Sequence, residues 1–310
     1  MIKCSLLFIV SFLSIVMFNV AKAQDVVSLK DTAYKKVVVP NNFATSIDEV
    51  YTTIGDWNGR VDIYFQPKET APTPIIINIH GGGWKNGVKE AQGGFTQFFK
   101  AGYSIANVEY RMTNQATAPA AVEDLRCALI YLTNNAKKFN IDTKKIIVMG
   151  GSAGGHLALM AGLLGNNHLF DSNCLTKEKI NVAAIIDKYG ITDVWDWAYT
   201  DYGPAVKKSK SPGDWLGPKK NDESFAKTVS PIWYVNKNSP PTLIIHGTAD
   251  STVPIQQSAG LYKKLNELGV KTDFIKVDGG GHGRFTKEKN AELNNQIIQF
   301  ISETPAFKKQ

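Results

Sequence analysis

Short apolar runs alternate with amphipathic stretches along most of this chain. A continuous apolar run is typical of a strand buried on both faces of a sheet. Such a run, interrupted only by Asn78, occupies residues 75–79, and further strand candidates follow at 103–108, 146–149, 182–186, 243–245 and 274–277. Apolar residues at helical spacing predict helices between and after them, at 119–139, 155–160, 255–265 and 293–301.

A predicted hairpin precedes this series. Two short strands, 50–54 and 61–65, flank a turn around Gly55-Asp56-Trp57-Asn58-Gly59. A hairpin followed by repeated β-α units predicts an α/β fold with a mostly parallel central sheet and helices on both faces. Functional residues in such sheets lie at the carboxyl ends of the strands. Residues 190–239 are rich in Trp, Lys, Pro and Gly, break the alternation, and are predicted to form a cap-like insertion above the sheet.

The first residues have the pattern of an export signal. Lys3 precedes an apolar stretch over residues 6–20, and Ala21-Lys22-Ala23 supplies the small-residue pattern before a cleavage site. A membrane anchor is the alternative, but the stretch is shorter than the roughly 20 residues that a spanning helix needs. We expect a signal peptide over 1–23, one domain over 24–310, and a periplasmic or secreted protein without a membrane attachment.

The charge pattern argues against nucleic acid as a partner. The 310 residues carry a formal net charge of +7, which falls to +5 when Lys3 and Lys22 leave with the signal. The remaining lysines form scattered pairs without interleaved aromatic residues, as on an ordinary solvated surface. Attraction to an acidic polymer, such as a uronic-acid polysaccharide, stays open.

Two cysteines, Cys127 and Cys174, remain once Cys4 leaves with the signal. In an exported protein they can form a disulfide. One is predicted to lie in a helix and the other in a loop, and these positions do not decide whether the two cysteines pair. No group of cysteines and histidines has the spacing of a zinc site. We expect no metal and no cofactor, and the sequence leaves the oligomeric state open.

The sequence Gly150-Gly151-Ser152-Ala153-Gly154-Gly155 directly follows a predicted strand. It fits the G-x-S-x-G pattern, in which a serine makes a tight turn between a strand and a helix. Such a turn needs glycine neighbours for steric reasons, and it places the hydroxyl at the positive end of the helix. Ser152 is the predicted nucleophile; a glycine-rich helix cap is the alternative.

A second glycine-rich sequence, His80-Gly81-Gly82-Gly83-Trp84, follows the strand at 75–79. Acyl transfer passes through a tetrahedral oxyanion, which backbone N–H donors fixed in advance can stabilise. We expect these donors to be Gly82 and Gly83 from this loop and Ala153 after the nucleophile. A merely flexible turn is the alternative.

A serine nucleophile needs a base, and His282 is the predicted one. It lies in Gly279-Gly280-Gly281-His282-Gly283, between a strand and the last helix, where glycines leave the imidazole free to reach Ser152. Among the other histidines, His80 is expected to brace the glycine loop and His156 to pack beneath the site. His246 is expected to be buried at a strand end, and His168 to be exposed.

The acid that orients the base should follow a strand and lie between the serine and the histidine in chain order. Asp250 fits, since the strand at 243–245 leads into it. It would accept the imidazole N–H and stabilise the imidazolium. Asp187, after the preceding strand, is the rival.

Several further motifs accompany these residues in order between positions 48 and 303. They are His80-Gly-Gly-Gly-Trp84, Tyr110-Arg111, Pro119-Ala120 with Glu123-Asp124, Gly150–His156, Ser230-Pro231, Pro240-Pro241, His246-Gly247-x-x-Asp250 and Gly281-His282-Gly283. Together they resemble the bifunctional feruloyl and acetyl xylan esterase family of the α/β-hydrolases. The resemblance implies an α/β-hydrolase catalytic domain over 24–310 with the triad Ser152, Asp250 and His282. It also implies cleavage of acetyl or feruloyl esters of plant cell-wall polysaccharide (xylan or hemicellulose), without a cofactor.

Four of the six tryptophans fall within the insertion. Aromatic faces suit sugar rings or a feruloyl group, so we expect Trp195 and Trp197 to border the substrate, together with Trp84 of the glycine loop. The alternative is that these rings only hold an irregular loop together.

Other functions share this set of residues. A general small-ester carboxylesterase or an arylformamidase would use the same triad. A peptidase of the prolyl-oligopeptidase type usually carries a large accessory domain. A non-catalytic hydrolase fold that binds glycan typically lacks a triad member.

Overall fold

The computed structural model describes residues 37–68 and 70–308. The strands of these residues are β1 Ala44–Ile54, β2 Trp57–Phe65, β3 Thr73–Ile79, β4 Ser104–Val108, β5 Ile141–Gly151, β6 Ala184–Lys188, β7 Thr242–Gly247 and β8 Thr272–Val277. The α-helices are α1 Thr96–Lys100, α2 Ala120–Asn134, α3 Ala153–Leu163, α4 Val194–Tyr199, α5 Ser211–Leu216, α6 Glu223–Thr228, α7 Ile255–Glu267 and α8 Lys287–Ser302. The predicted signal peptide lies outside the described residues. Within them, no helix has the length and apolar character needed to cross a membrane.

The strands form one sheet in the order β1-β2-β4-β3-β5-β6-β7-β8. β1 and β2 form the predicted hairpin, but its turn is only Gly55-Asp56, because β2 already begins at Trp57. β2 also pairs antiparallel with β4, and every later pair of neighbours is parallel. The prediction of an α/β fold with a mostly parallel sheet is confirmed.

The boundaries of several elements differ from prediction, among them those of β5 and α2. β5 is longer than the run at 146–149 and extends to Gly151, directly before the predicted nucleophile. α2 ends at Asn134 and not at 139, because the chain turns there to enter β5. The N–H of Ile141 donates to the carbonyl oxygen of Ala136 and closes this turn.

Apolar side chains fill both faces of the sheet. On one face Ile75, Ile77 and Ile79 of β3 belong to a cluster that includes apolar residues of α2, α3 and α7. On the other face Ile76 belongs to a second cluster, which includes apolar residues of α1 and α8. Alternation along a strand sends successive side chains to opposite faces, so a strand with helices on both sides is mostly apolar on both faces.

A disulfide joins Cys127 of α2 to Cys174, whose Cα atoms are 5.3 Å apart. Beside it the fully buried Arg126 pairs with Asp171, with Nε 2.7 Å and Nη2 2.8 Å from the two carboxylate oxygens. The structure thus contains the disulfide whose formation the sequence left undecided. Together these contacts fasten the segment between α3 and β6 to α2.

We expect the double variant Cys127→Ala/Cys174→Ala to lose about 2–4 kcal/mol of unfolding free energy, because the bridge closes a long loop in the unfolded chain. The sequence separation of 47 residues sets the size of that loop. Urea unfolding of oxidised wild type and variant measures the difference. Equal midpoints and slopes for the two proteins would show that the bridge adds no stability.

The residues predicted as an insertion lie between β6 and β7 and contain α4, α5 and α6. Trp215 of α5 stacks on Trp84 of the glycine loop, with ring centroids 4.3 Å apart and an interplanar angle of 12°. His156 of α3 packs edge-on against both rings at 5.0 Å. The insertion is therefore fixed to the core of the domain by an aromatic cluster that contacts the glycine loop and α3.

Candidate active site

A sharp turn between β5 and α3 carries the predicted nucleophile. Ser152 has φ +57° and ψ −125°, a conformation that residues with a side chain rarely adopt. A Cβ on Gly150 would lie 2.2 Å from the carbonyl oxygen of Gly154, and a Cβ on Gly154 would lie 2.2 Å from that of Ile79. Close backbone contact thus demands both glycines of the motif, and the strained turn lifts Ser152 away from the sheet.

The structure brings the three predicted triad residues into one chain of hydrogen bonds. Ser152 Oγ lies 2.8 Å from His282 Nε2, and His282 Nδ1 lies 2.7 Å from Asp250 Oδ2. The three residues follow β5, β8 and β7, and because these strands are parallel their carboxyl ends lie at one edge of the sheet. Donation from Nδ1–H to the carboxylate leaves the Nε2 lone pair free to take the hydroxyl proton.

The Asp250 carboxylate is buried and surrounded by donors. Its Oδ1 accepts the backbone N–H groups of Thr252 at 2.8 Å and Val253 at 3.0 Å. Burial by itself raises the pKa of Asp250, but hydrogen bonds from His246, His282 and the backbone outweigh it and hold the pKa well below the usual range. Asp250 is therefore anionic at any pH at which His282 can act as a base.

The rival acid, Asp187, does not contact His282. Its Oδ1 accepts the N–H of Gly190 at 3.0 Å, and its Oδ2 has no hydrogen-bond partner among the described residues. Burial raises the pKa of Asp187 to about 7. The structure thus places Asp250, and not Asp187, against the imidazole.

The glycine loop lies beside the nucleophile turn. A Cβ on Gly81 would lie 2.7 Å from the carbonyl oxygen that precedes Ser152 and 3.4 Å from the Cβ of Ser152. Gly82 and Gly83 have φ +119° and +62°, and within the described part of the chain their N–H groups donate to no other residue. Ala153 is the first residue of α3, so its N–H has no acceptor inside the helix. All three N–H groups are available for an oxyanion.

His80 and its neighbours brace this loop, as expected from the sequence. His80 Nδ1 lies 2.8 Å from the carbonyl oxygen of Gly81, and the ring stacks on Tyr110 at 4.3 Å. The Tyr110 hydroxyl donates to the carbonyl oxygen of His80 at 3.0 Å, and Arg111 Nε donates to Asp124 at 3.0 Å. Tyr110 therefore supports the glycine loop directly, and the Arg111–Asp124 contact joins the segment that carries Tyr110 to α2.

Comparison with known proteins agrees with this geometry. The BD-FAE family model matches residues 61–265, which is most of the chain. The chain belongs to the BD-FAE family. The resemblance that the motifs indicate is thereby confirmed.

Curated relatives of this BD-FAE chain include esterases. Esterase LipC of Mycobacterium tuberculosis is 28% identical over 223 residues, which is 69% of this chain and 54% of the relative. The probable carboxylic ester hydrolase LipM of the same organism is 27% identical over 236 residues, covering 73% and 53%. The chain spans about half the length of these curated relatives.

Solved structures give the same fold. A truncated carbohydrate esterase from gut microbiota superposes with a TM-score of 0.74 and 27% identity, over 87% of this chain and 100% of the other. Thermogutta terrifontis esterase 2, phosphonylated by sarin, superposes with a TM-score of 0.68 and 23% identity, over 86% and 98%. The BD-FAE chain therefore has the α/β-hydrolase fold.

The predicted substrate contacts of this BD-FAE chain require correction. Trp84 is fully buried in its stack with Trp215, so it has no surface to offer a substrate. Trp197 is 7% exposed, and its indole N–H donates to the carbonyl oxygen of Thr252. Trp195 is half-buried against Tyr199, with ring centroids 4.1 Å apart. For Trp84 and Trp197 the alternative holds: these rings fasten the insertion to the domain.

Two residues that matter to the triad were not singled out for that role from the sequence. Tyr189, at φ +45°, packs its ring edge-on to His282 at 4.8 Å, and a Cβ on Gly283 would lie 2.3 Å from its hydroxyl. Burial raises the pKa of Tyr189 to about 12, so it stays neutral. His246 is expected to be buried and is; its Nε2 lies 3.3 Å from Asp250 Oδ2. Tyr189 directly follows β6, and His246 lies near the end of β7. These positions at the ends of central strands are the sequence signal that could have identified both residues.

Proposed function

We propose that this chain is an exported serine esterase that hydrolyses acetyl or feruloyl esters of plant cell-wall polysaccharide through an acyl-enzyme. The observation that carries the proposal is the continuous contact from Ser152 Oγ through His282 to the buried Asp250 carboxylate. Free backbone donors of the glycine loop lie beside this contact. Nucleophile, base, orienting acid and oxyanion donors are the groups that ester hydrolysis by a serine requires.

In the first step His282 Nε2 takes the hydroxyl proton as Ser152 Oγ attacks the carbonyl carbon of the ester. The carbonyl oxygen becomes an oxyanion, which the N–H groups of Gly82, Gly83 and Ala153 stabilise. Asp250 stabilises the imidazolium that forms. When the carbon–oxygen bond to the alcohol breaks, the imidazolium gives its proton to the leaving oxygen and an acyl-enzyme remains.

In the second step a water molecule replaces the alcohol. His282, neutral again, takes a proton from the water as its oxygen attacks the acyl carbon. The tetrahedral intermediate collapses, Ser152 Oγ recovers the proton from the imidazolium, and the carboxylic acid leaves. The enzyme returns to its starting state without a cofactor.

Several observations support the finer parts of the proposal. The BD-FAE match and the likeness to a carbohydrate esterase support a polysaccharide ester as substrate. The signal-like N-terminus supports export, and a disulfide suits an oxidising compartment. General carboxylesterase activity is the second candidate, because the curated relatives LipC and LipM are named only as esterases.

A substrate panel tests the proposal. We expect acid release from acetylated xylan and methyl ferulate, with turnover of nitrophenyl acetate exceeding that of the butyrate, because the acyl group of the natural ester is small or planar. A formyl amide is included to test for arylformamidase activity. Released acid is measured for each substrate at equal enzyme concentration, with heat-treated enzyme as the blank.

Different outcomes of the panel separate the candidates. Activity on nitrophenyl esters alone would favour the general carboxylesterase. A formyl amide as the best substrate would favour the arylformamidase. No turnover of any substrate in the panel, the formyl amide included, would reject hydrolysis and leave the non-catalytic glycan binder.

A further inference from the structure

A cavity of about 540 Å³ opens in the insertion, between α4, α5 and the residues that follow α5. Tyr199, Lys210, Gly213, Asp214 and Lys220 are among the residues that line it. We propose that this cavity binds a uronic acid unit of the polysaccharide whose ester is cleaved. The inference rests on the proposed esterase function and names the class of glycan that the site takes.

The cavity wall is physically joined to the glycine loop. A Cβ on Gly83 would lie 2.9 Å from Ser211 Oγ, at the start of α5. Lys85, two residues further along the loop, forms an ion pair with Asp214 at 3.5 Å. The stack of Trp84 on Trp215 fixes the same helix from beneath. A sugar in the cavity therefore sits next to the loop that holds the predicted oxyanion donors.

One wall of the cavity is aromatic. Tyr199 is 47% exposed, so part of its ring is open to a ligand. Its ring packs on Trp195 at 4.1 Å, and its hydroxyl donates to the carbonyl oxygen of Lys220. Because both ends of the side chain are held, the ring is a preorganised surface on which a sugar ring can pack. Trp195 then supports substrate binding from behind Tyr199.

The charges on the cavity are unbalanced. Lys210 and Lys220 line it, and neither forms an ion pair with another described residue. The carboxylate of Asp214, which also lines the cavity, is partly neutralised by Lys85. Residues 207–220 include five lysines and a single acidic residue. A ligand that carries a carboxylate would supply the missing negative charge.

The size of the cavity fits a short stretch of glycan. Ligand sites in proteins commonly enclose about 300–1,000 Å³. A pocket with an aromatic wall and unpaired ammonium groups offers ring packing for a sugar and charge complementarity for its carboxylate. Neutral sugars would use only the first of these contacts, so the cavity should discriminate acidic from neutral oligosaccharides.

Binding to the Ser152→Ala protein tests the site without turnover. The probes are an oligosaccharide of four sugars with one uronic acid and the same molecule with its carboxyl group reduced to the alcohol. We expect the acidic probe to bind about three- to tenfold more tightly by calorimetry, the effect of two partly exposed ion pairs. Lys210→Gln/Lys220→Gln should abolish this preference. The matched control Lys177→Gln/Lys179→Gln, which removes the same charge from an exposed loop outside the cavity lining, should retain it.

Equal affinity of the two probes for the starting protein would overturn the proposal. So would a loss of preference in the Lys177→Gln/Lys179→Gln control as large as in the cavity variant, because net charge and not the cavity would then select the ligand. Since this readout is binding, it stands even if no ester proves to be a substrate.

Turnover by the otherwise wild-type chain gives the second readout. Lys210→Gln/Lys220→Gln should raise KM for an acetylated acidic oligosaccharide and leave kcat nearly unchanged. Its kcat/KM for nitrophenyl acetate, which is too small to fill the cavity, should equal that of the wild type. An equal loss on both substrates would show that the two lysines maintain the glycine loop and do not bind the glycan.

Discussion

Replacing Ser152 by alanine is expected to lower kcat for nitrophenyl acetate by about four to six orders of magnitude, the scale seen when a triad nucleophile is lost. The reason is that Oγ lies 2.8 Å from His282 Nε2, and no other hydroxyl makes this contact within the described residues. The remaining oxyanion donors sustain only a small residual rate. Stopped assays at high enzyme concentration measure this residual rate, and a thermal melt checks that the variant is folded.

Two controls sharpen this result. Ser302→Ala removes an exposed hydroxyl at the end of α8 and should leave kcat unchanged. A fluorophosphonate should label wild type and Ser302→Ala once, at Ser152, and should not label Ser152→Ala. Near-normal turnover by a folded Ser152→Ala protein would rule out the proposed nucleophile.

The nucleophile turn could be predicted from the sequence because its requirements are local. Glycine is needed at positions 150 and 154 because a Cβ there would lie 2.2 Å from the carbonyl oxygens of Gly154 and Ile79, respectively. The glycines of the motif therefore indicate the tight turn directly. The strand series was equally visible, since four of the five residues at 75–79 of β3 are apolar. Chain order and strand ends then sufficed to identify His282 and Asp250 as partners of Ser152.

The roles of the tryptophans could not be predicted in the same way. Trp84 and Trp215 are 131 positions apart in the sequence, and no local pattern says that one ring stacks on the other. Amino-acid composition does not distinguish an aromatic ring that packs in a core from one that packs on a sugar. The disulfide was undecided for the same reason, because pairing depends on how α2 and the loop of Cys174 meet in space.

Tyr189 shows a third kind of limit. It directly precedes the residues predicted as the insertion, and its backbone forms the turn that leaves β6. Its N–H donates to the carbonyl oxygen of Ile245 at 2.7 Å, which places the ring beneath His282. The requirement for glycine at position 283 follows from that ring and not from the freedom of the histidine loop alone.

Asparagine at the two candidate acid positions should give opposite results for activity. We expect Asp250→Asn to lower kcat/KM by about four orders of magnitude. The amide oxygen would keep the N–H groups of Thr252 and Val253, so the NH2 group would face His282 Nδ1. The imidazole would then carry its proton on Nε2 and could not accept that of Ser152. Asp187→Asn should stay within about threefold of wild type, since its amide oxygen can still accept from Gly190.

Unfolding free energy across pH separates the two acids by a second readout. The pKa of Asp187 is raised to about 7 by burial, while an unfolded aspartate titrates near 4. Between these values the unfolded chain binds fewer protons, so Asp187 makes the wild type lose stability as pH rises from about 4 to about 7. Asp187→Asn removes this loss and should be more stable than wild type at pH 8.

The pKa of Asp250 is depressed, so its contribution to the unfolding free energy is present at pH 8 and fades only as pH falls. Asp250→Asn should therefore be less stable than wild type at pH 8. Urea unfolding at pH 5 and pH 8 measures both differences. A severe loss of activity in Asp187→Asn together with a mild one in Asp250→Asn would transfer the role of orienting acid to Asp187.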